Sequence, residues 1–161
     1  MTTFRGYERA DGPAGIRNHV AVLPSVACAN GEVAAIARAV PEAVPLYHGH
    51  GCGRGGADLE IHQRTLVNLA KNPNVAAVLV VGLGCEVLRA EGLALGISLS
   101  KKPVEYFYIQ NEGGSRKAAA KGIEIARRML ADAAKLERKE FPLSEIRLGL
   151  ECGGSDAFSG V

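Results

Sequence analysis

Val75-Ala76-Ala77-Val78-Leu79-Val80-Val81-Gly82-Leu83-Gly84-Cys85-Glu86 is the stretch on which the fold turns. Its first eight residues are continuously apolar and rich in valine, and Asn72-Pro73-Asn74 ahead of them is a strong stop signal. Such a run suits a central parallel strand covered on both faces. Working outward, 19–27, 43–48, 103–109 and 146–151 read as further strands. Between them come a helix from an Asn30 cap to Pro41, one over 59–71 capped by Asp58, a short one over 86–95 and a long amphipathic one over 114–138. Five strands alternating with helices predict a five-stranded, mostly parallel, doubly wound α/β sheet of Rossmann or flavodoxin type in three α/β/α layers. Residues 1–18 show no regular apolar period and read as an N-terminal arm, which leaves 19–161 as a single α/β domain.

Right-handed crossovers place every strand-to-helix loop at one edge of such a sheet, where open α/β sheets bind ligands. The cysteines follow that rule: Cys28, Cys52, Cys85 and Cys152 each come just after a strand. Cys52 closes His48-Gly49-His50-Gly51-Cys52, Cys85 is followed by Glu86, and Cys152 stands in Glu151-Cys152-Gly153-Gly154-Ser155-Asp156. The 20 glycines crowd into these and neighbouring loops, as expected where backbone bends tightly or approaches a ligand.

Composition narrows the function classes. At 161 residues the chain makes one domain with a proper core. A formal net charge of +2 recruits neither nucleic acid nor an anionic membrane, and the basic residues of 116–139 alternate with apolar and acidic ones, as on a solvated helix face. The longest apolar stretch is far short of the roughly 20 residues of a membrane span. The first residues, MTTFRGYERADG, hold no signal-peptide core. A cytoplasmic setting with reduced thiols is the expectation, where cysteines serve metals or catalysis more often than disulfides.

His48, His50 and Cys52 offer imidazole and thiolate within five residues, a donor mixture that iron, zinc or manganese accepts. The competing reading is a glycine-rich turn with exposed histidines. Gly82-Leu83-Gly84 is a weak dinucleotide signal, and Cys85 and Glu86 fill the positions that the full fingerprint needs, so NAD is discounted. The 151–156 loop joins a candidate base, a thiol and a backbone nest, or is simply a Gly-Gly turn. Cys28 suits core or ligand equally. Arg17 either forks onto a substrate carboxylate or pairs with Asp11. His19 and His62 read as packing or surface residues.

The assembled motifs resemble the altronate/galactarate dehydratase family. The resemblance rests on F-R-G-Y-x-R-x-D-G-x-x-G-I-R-N at 4–18, H-G-H-G-C at 48–52, N-P-N-V through G-L-G-C-E at 72–86, Gln110 with Gly113-Gly114, and E-C-G-G-S-D-A-F-S-G at 151–160. It implies the second, Rossmann-like domain of a larger unit, truncated after its last glycine motif. It also implies dehydration of a hexonate or hexarate to a 2-keto-3-deoxy acid with a divalent metal, Fe2+ or Mn2+. On that footing His48, His50, Cys52, Cys85 and Cys152 are metal-ligand candidates. Glu86, Glu151 and His50 are the acid–base candidates, and Arg17, Asn18, Ser155 and Asp156 would hold the substrate.

Implied partners are a small hydroxy or sugar acid, the remaining C-terminal domain and a small SAF-type domain or subunit, with a homo-oligomer also compatible. The 161-residue chain alone is expected to be inactive. Other readings are a domain of a sulfolactate sulfo-lyase large subunit, a non-catalytic assembly or binding domain, and a protein holding an iron–sulfur cluster on three of the cysteines.

Overall fold

In the computed structural model of the chain, residues 2–151 and 154 are described. The order of elements is β1 (Thr3–Gly6), β2 (His19–Pro24), a 3-10 turn (Ala27–Ala29), α1 (Asn30–Ala39), β3 (Ala43–Pro45), α2 (Gly56–Ala70), β4 (Val75–Gly82), α3 (Ala90–Ser98), β5 (Val104–Tyr108), α4 (Ser115–Ala133), β6 (Lys139–Pro142) and a second 3-10 turn (Leu143–Glu145). Four strands form a parallel sheet in the order β3-β2-β4-β5. The chain therefore steps outward from β2 to β3, then crosses back to lay β4 on the other side of β2. That reversal is the topological switch point of a doubly wound sheet.

Side-chain alternation along the strands sorts the core into two halves. Val20, Val22, Leu79, Val81 and Phe107 pack against α1 and α4, which bring Val33, Ile36, Ile125 and Met129. Ala21, Leu23, Val78, Val80 and Tyr108 face α2 and α3, which bring Leu66, Leu93 and Ile97. Every residue of β4 is buried, as the continuously apolar run predicts for a strand covered on both sides. α1 and α4 meet closely at Gly122, where a Cβ would lie 2.9 Å from Ile36 Cγ1.

The strand expected over 146–151 does not form. Residues 146–151 carry no strand, and Leu148 and Leu150 are exposed. The reason lies just upstream. α4 stops at Ala133 rather than 138, and residues 139–142 are captured by β1 in an antiparallel ribbon, with Phe4 opposite Phe141 and Arg5 opposite Glu140. Among the described residues the parallel sheet therefore has four strands rather than five, and the N-terminal arm is itself structured. Past β1, Tyr7 and Gly15 exchange backbone bonds of 2.7 and 2.9 Å. Arg9 then ties the arm to the domain through Pro73 O at 2.6 Å, Arg17 O at 3.0 Å and Asn18 Oδ1 at 3.0 Å.

Two caps also differ from expectation. Asn30 opens α1 from its first helical position, and its amide reaches to His48 O instead of capping its own helix. Gly55 precedes α2, with Asp58 inside the first turn.

Candidate functional site

The carboxyl ends of β2, β3 and β4 deliver three loops to one place. Pro24-Ser25-Val26 leaves β2, Tyr47-His48-Gly49-His50-Gly51-Cys52 follows β3, and Leu83-Gly84-Cys85-Glu86 follows β4. Their interlocking starts at Glu86, which is buried although charged. Its Oε1 accepts Ser25 Oγ–H at 2.7 Å and Leu83 N–H at 3.2 Å, and its Oε2 accepts Gly84 N–H at 2.6 Å. A carboxylate buried with three donors is the arrangement that compensates its lost hydration.

The surroundings leave no room for anything larger. A Cβ on Gly82 would sit 2.6 Å from Glu86 Oε1 and from the Tyr108 ring, and one on Gly84, at φ +133°, would sit 2.8 Å from Gln110 Cδ. Because Glu86 pulls residues 83–86 into this turn, α3 begins at Ala90 rather than at 86.

The His/Cys loop is fastened to the same point. His48 Nε2–H donates to Pro24 O at 2.7 Å, and His48 Nδ1 accepts the backbone N–H of His50 at 3.2 Å. Both ring nitrogens are thus occupied and the tautomer is set. Burial lowers the His48 pKa, the bond to Pro24 opposes that shift, and His50 adds to it. Gly51, at φ +113°, lies on the end of β2, where a Cβ would come within 2.6 Å of Val26 Cα. Ala27 N–H to His50 O at 2.7 Å and Leu88 N–H to Gly51 O at 3.2 Å complete the attachment.

Outside this latch the loop offers reactive groups. His50 is exposed, and its Nε2 accepts a hydrogen bond from the Arg54 guanidinium at 3.1 Å. Cys52, Cys85 and Cys28 are free and exposed. His62, from the second turn of α2, stands edge-on to the His48 ring at 4.9 Å and to the His50 ring at 5.7 Å. Burial lowers its pKa, and His48, Arg54 and His50 lower it further.

The expected site residues therefore divide. His48, His50, Cys52, Cys85 and Glu86 gather at the switch-point edge. Arg17 and Asn18 do not: they lie at the amino ends of the strands, where Arg17 N–H binds Asn74 Oδ1 at 3.0 Å and Asn18 Nδ2 binds Ala133 O at 2.7 Å. Their side of the sheet is opposite the loops because they precede β2. Glu151 is exposed and outside any strand, and Cys152, Ser155 and Asp156 lie outside the described residues.

A metal ion does not fit the described residues as arranged. Among them no three His, Cys, Asp or Glu side chains come together to hold one. His48 has both nitrogens bonded, and His50 Nε2 faces a guanidinium.

Reasoning from sequence passed over Ser25 and Arg54, read Asn30 only as a helix cap and read His62 as a packing or surface residue. Ser25 had a readable signal, a lone hydroxyl at the end of a buried strand, whereas the others are joined to the site only by tertiary packing.

Together these features define a doubly wound α/β domain whose switch point carries imidazoles, thiols, a guanidinium and a buried carboxylate. The chain belongs to the D-galactarate dehydratase/altronate hydrolase family, whose second-domain model matches residues 6–134. It is 39% identical over 158 residues to the (2R)-sulfolactate sulfo-lyase subunit beta of Chromohalobacter salexigens, covering 98% of this chain and 40% of that protein. It is 34% identical to the altronate dehydratase of Bacillus subtilis, and equally to the galactarate dehydratase (L-threo-forming) of Escherichia coli, covering 99% of this chain and 34% of each of them. The chain thus spans two-fifths or less of the length of these curated relatives. No solved structure matches it.

Proposed function

We propose that this chain is the domain of a carbon–oxygen hydro-lyase that dehydrates a sugar acid of the altronate or galactarate type to a 2-keto-3-deoxy acid. The observation that carries this reading is the pairing of His50 with Arg54 at the open switch-point edge, beside the exposed thiols of Cys52 and Cys85. Arg54 supplies a forked cation for the substrate carboxylate. With the carboxylate held there, the proton on the adjacent carbon is taken by His50, since imidazole is the side chain most used for such transfers. The β-hydroxyl leaves with a proton as water, and the resulting enol becomes the 2-keto acid.

Glu86 has its oxygens filled by three donors and acts by holding the β4 turn in place, which leaves His50 and Glu151 as the acid–base candidates. If Fe2+ or Mn2+ takes part, it would need donors from outside the described residues. The small SAF-type domain or subunit and the remaining C-terminal domain would complete the site, so the 161-residue chain alone is expected to turn over little or no substrate.

The sulfo-lyase relative supports a second reading, in which the group expelled from a hydroxy acid is sulfite rather than water. Incubating the complete enzyme with altronate, galactarate and (2R)-sulfolactate separates them, because 2-keto-3-deoxy acid marks the first and released sulfite the second. Consumption of none of the three would overturn the lyase reading. Activity retained in His50→Ala would remove His50 from the proton transfer.

A further inference from the structure

Three buried side-chain polar atoms among the described residues have no hydrogen-bond partner, and all three flank His48. One is Asn30 Oδ1, on the amide whose Nδ2 holds His48 O at 2.9 Å. The others are Nδ1 and Nε2 of His62, on the ring that stands against His48 and His50. A buried donor or acceptor left unmatched is destabilising, and natural folds tolerate few of them. Their collection at one point beside the reactive loop marks a place whose partner is a ligand.

We infer that Asn30, Arg54 and His62 form a subsite that reads the hydroxyl groups of a polyhydroxy carboxylate. This deepens the lyase reading and rests on it for the acid group. A neutral imidazole has one donor and one acceptor, and Asn30 Oδ1 is a further acceptor. A hydroxyl both donates and accepts, so two neighbouring hydroxyls satisfy all three atoms. A second anion would meet two acceptors without a proton to give, and an apolar group would satisfy none.

Arg54 stands near enough to His62 to act on its charge, and its hydrogen bond to His50 is the only one it makes among the described residues. It stands between Gly53 at φ +70° and the Gly55-Gly56 pair, with Gly56 at φ +55°. When the guanidinium turns to an incoming carboxylate, it frees the His50 ring, while His48 and Gly51 stay fastened to β2.

The test is a titration of the protein with galactarate and with adipate, the dicarboxylate of equal chain length without hydroxyls. Binding is read by calorimetry and by the ring 15N signals of His62. Galactarate is expected to bind at least about tenfold tighter than adipate, the worth of one or two hydrogen bonds, and to shift the His62 signals. His62→Phe should bring the two acids within about twofold while leaving adipate unchanged. His62→Gln, which keeps a donor and an acceptor, should restore part of the preference and guards against loss through misfolding. Arg54→Gln should weaken both acids alike.

Equal affinities in the unaltered protein, no binding of either acid, or a galactarate preference untouched by His62→Phe would overturn the subsite. The lyase reading is judged apart, by product. Turnover without hydroxyl preference sinks only the subsite, and preference without turnover sinks only the lyase reading.

Discussion

Ser25 and Glu86 are joined by a 2.7 Å hydrogen bond that bridges the ends of β2 and β4, the two strands between which the sheet reverses direction. Both residues are buried, so the bond operates where water cannot replace it. It sets how far apart the two loops stand, and the His/Cys loop is then fastened to the β2 side of that join.

Ser25→Ala should therefore lower stability by about 1–3 kcal/mol, because a buried carboxylate oxygen loses a donor. Glu86→Gln should cost at least as much, since its amide NH2 would face a backbone N–H at Gly84 or Leu83. A double-mutant cycle by urea unfolding should show coupling of about 0.5–3 kcal/mol. Additive effects would mean that the two residues do not act as a unit.

Gly51→Ala should damage the loop from another direction. Its φ of +113° disfavours any side chain, and the added Cβ would press on Ser25 O and Val26. A loss of about 1–3 kcal/mol is expected. Gly49→Ala, whose Cβ would meet nothing within 4 Å, should be nearly neutral when the two variants are compared by thermal melts.

Lys102 gives the fold a pH dependence. Burial, with a smaller contribution from Arg9, lowers its pKa to about 8, while its ammonium donates to Ala70 O at 3.4 Å and to Asn72 O. The unfolded chain holds this proton up to its ordinary value of 10.5, so between pH 8 and 10.5 the unfolded state binds more protons and stability rises with pH. Urea unfolding at pH 7.5 and 9.5 should show a gain of about 1–3 kcal/mol. Lys102→Met should remove that slope, and an unchanged slope in the variant would assign it to another group.

Arg9 is expected to hold the arm. Arg9→Ala removes bonds to Pro73, Arg17 and Asn18 at once, and should cost about 1–3 kcal/mol. Amide exchange should rise in 7–18 while β4 stays protected. Uniform loss of protection would make the arm part of the core's cooperative unit.

Much of this architecture was legible in the chain. The run 75–82 had no polar interruption, which only a strand covered on both faces tolerates. The positions of His48, His50, Cys52, Cys85 and Glu86 follow from the rule that loops after parallel strands share an edge. The ribbon was not legible: Thr3–Gly6 and Lys139–Pro142 are four residues each, charged and without apolar alternation, and each is a strand only because the other pairs with it. The run 146–151 erred the opposite way, since an apolar stretch does not say whether a neighbour awaits it. Arg17 and Asn18 looked like substrate groups by type, but their place before β2 puts them at the far end of the strands. Nothing in H-G-H-G-C says that His48 is turned inward to Pro24 and His50 outward to Arg54, because that depends on where β2 ends.

The ribbon also orders events in time. β1 is made before the strands of the parallel sheet, yet its partner is made only after all of those strands among the described residues. Closing so long a loop is entropically costly unless the intervening chain has already become compact. The nascent domain can assemble its sheet and still carry β1 as an open edge, a handhold for a chaperone or a wrong strand until Lys139–Pro142 leaves the ribosome. Among the described strands, the first to be made is the last to be paired.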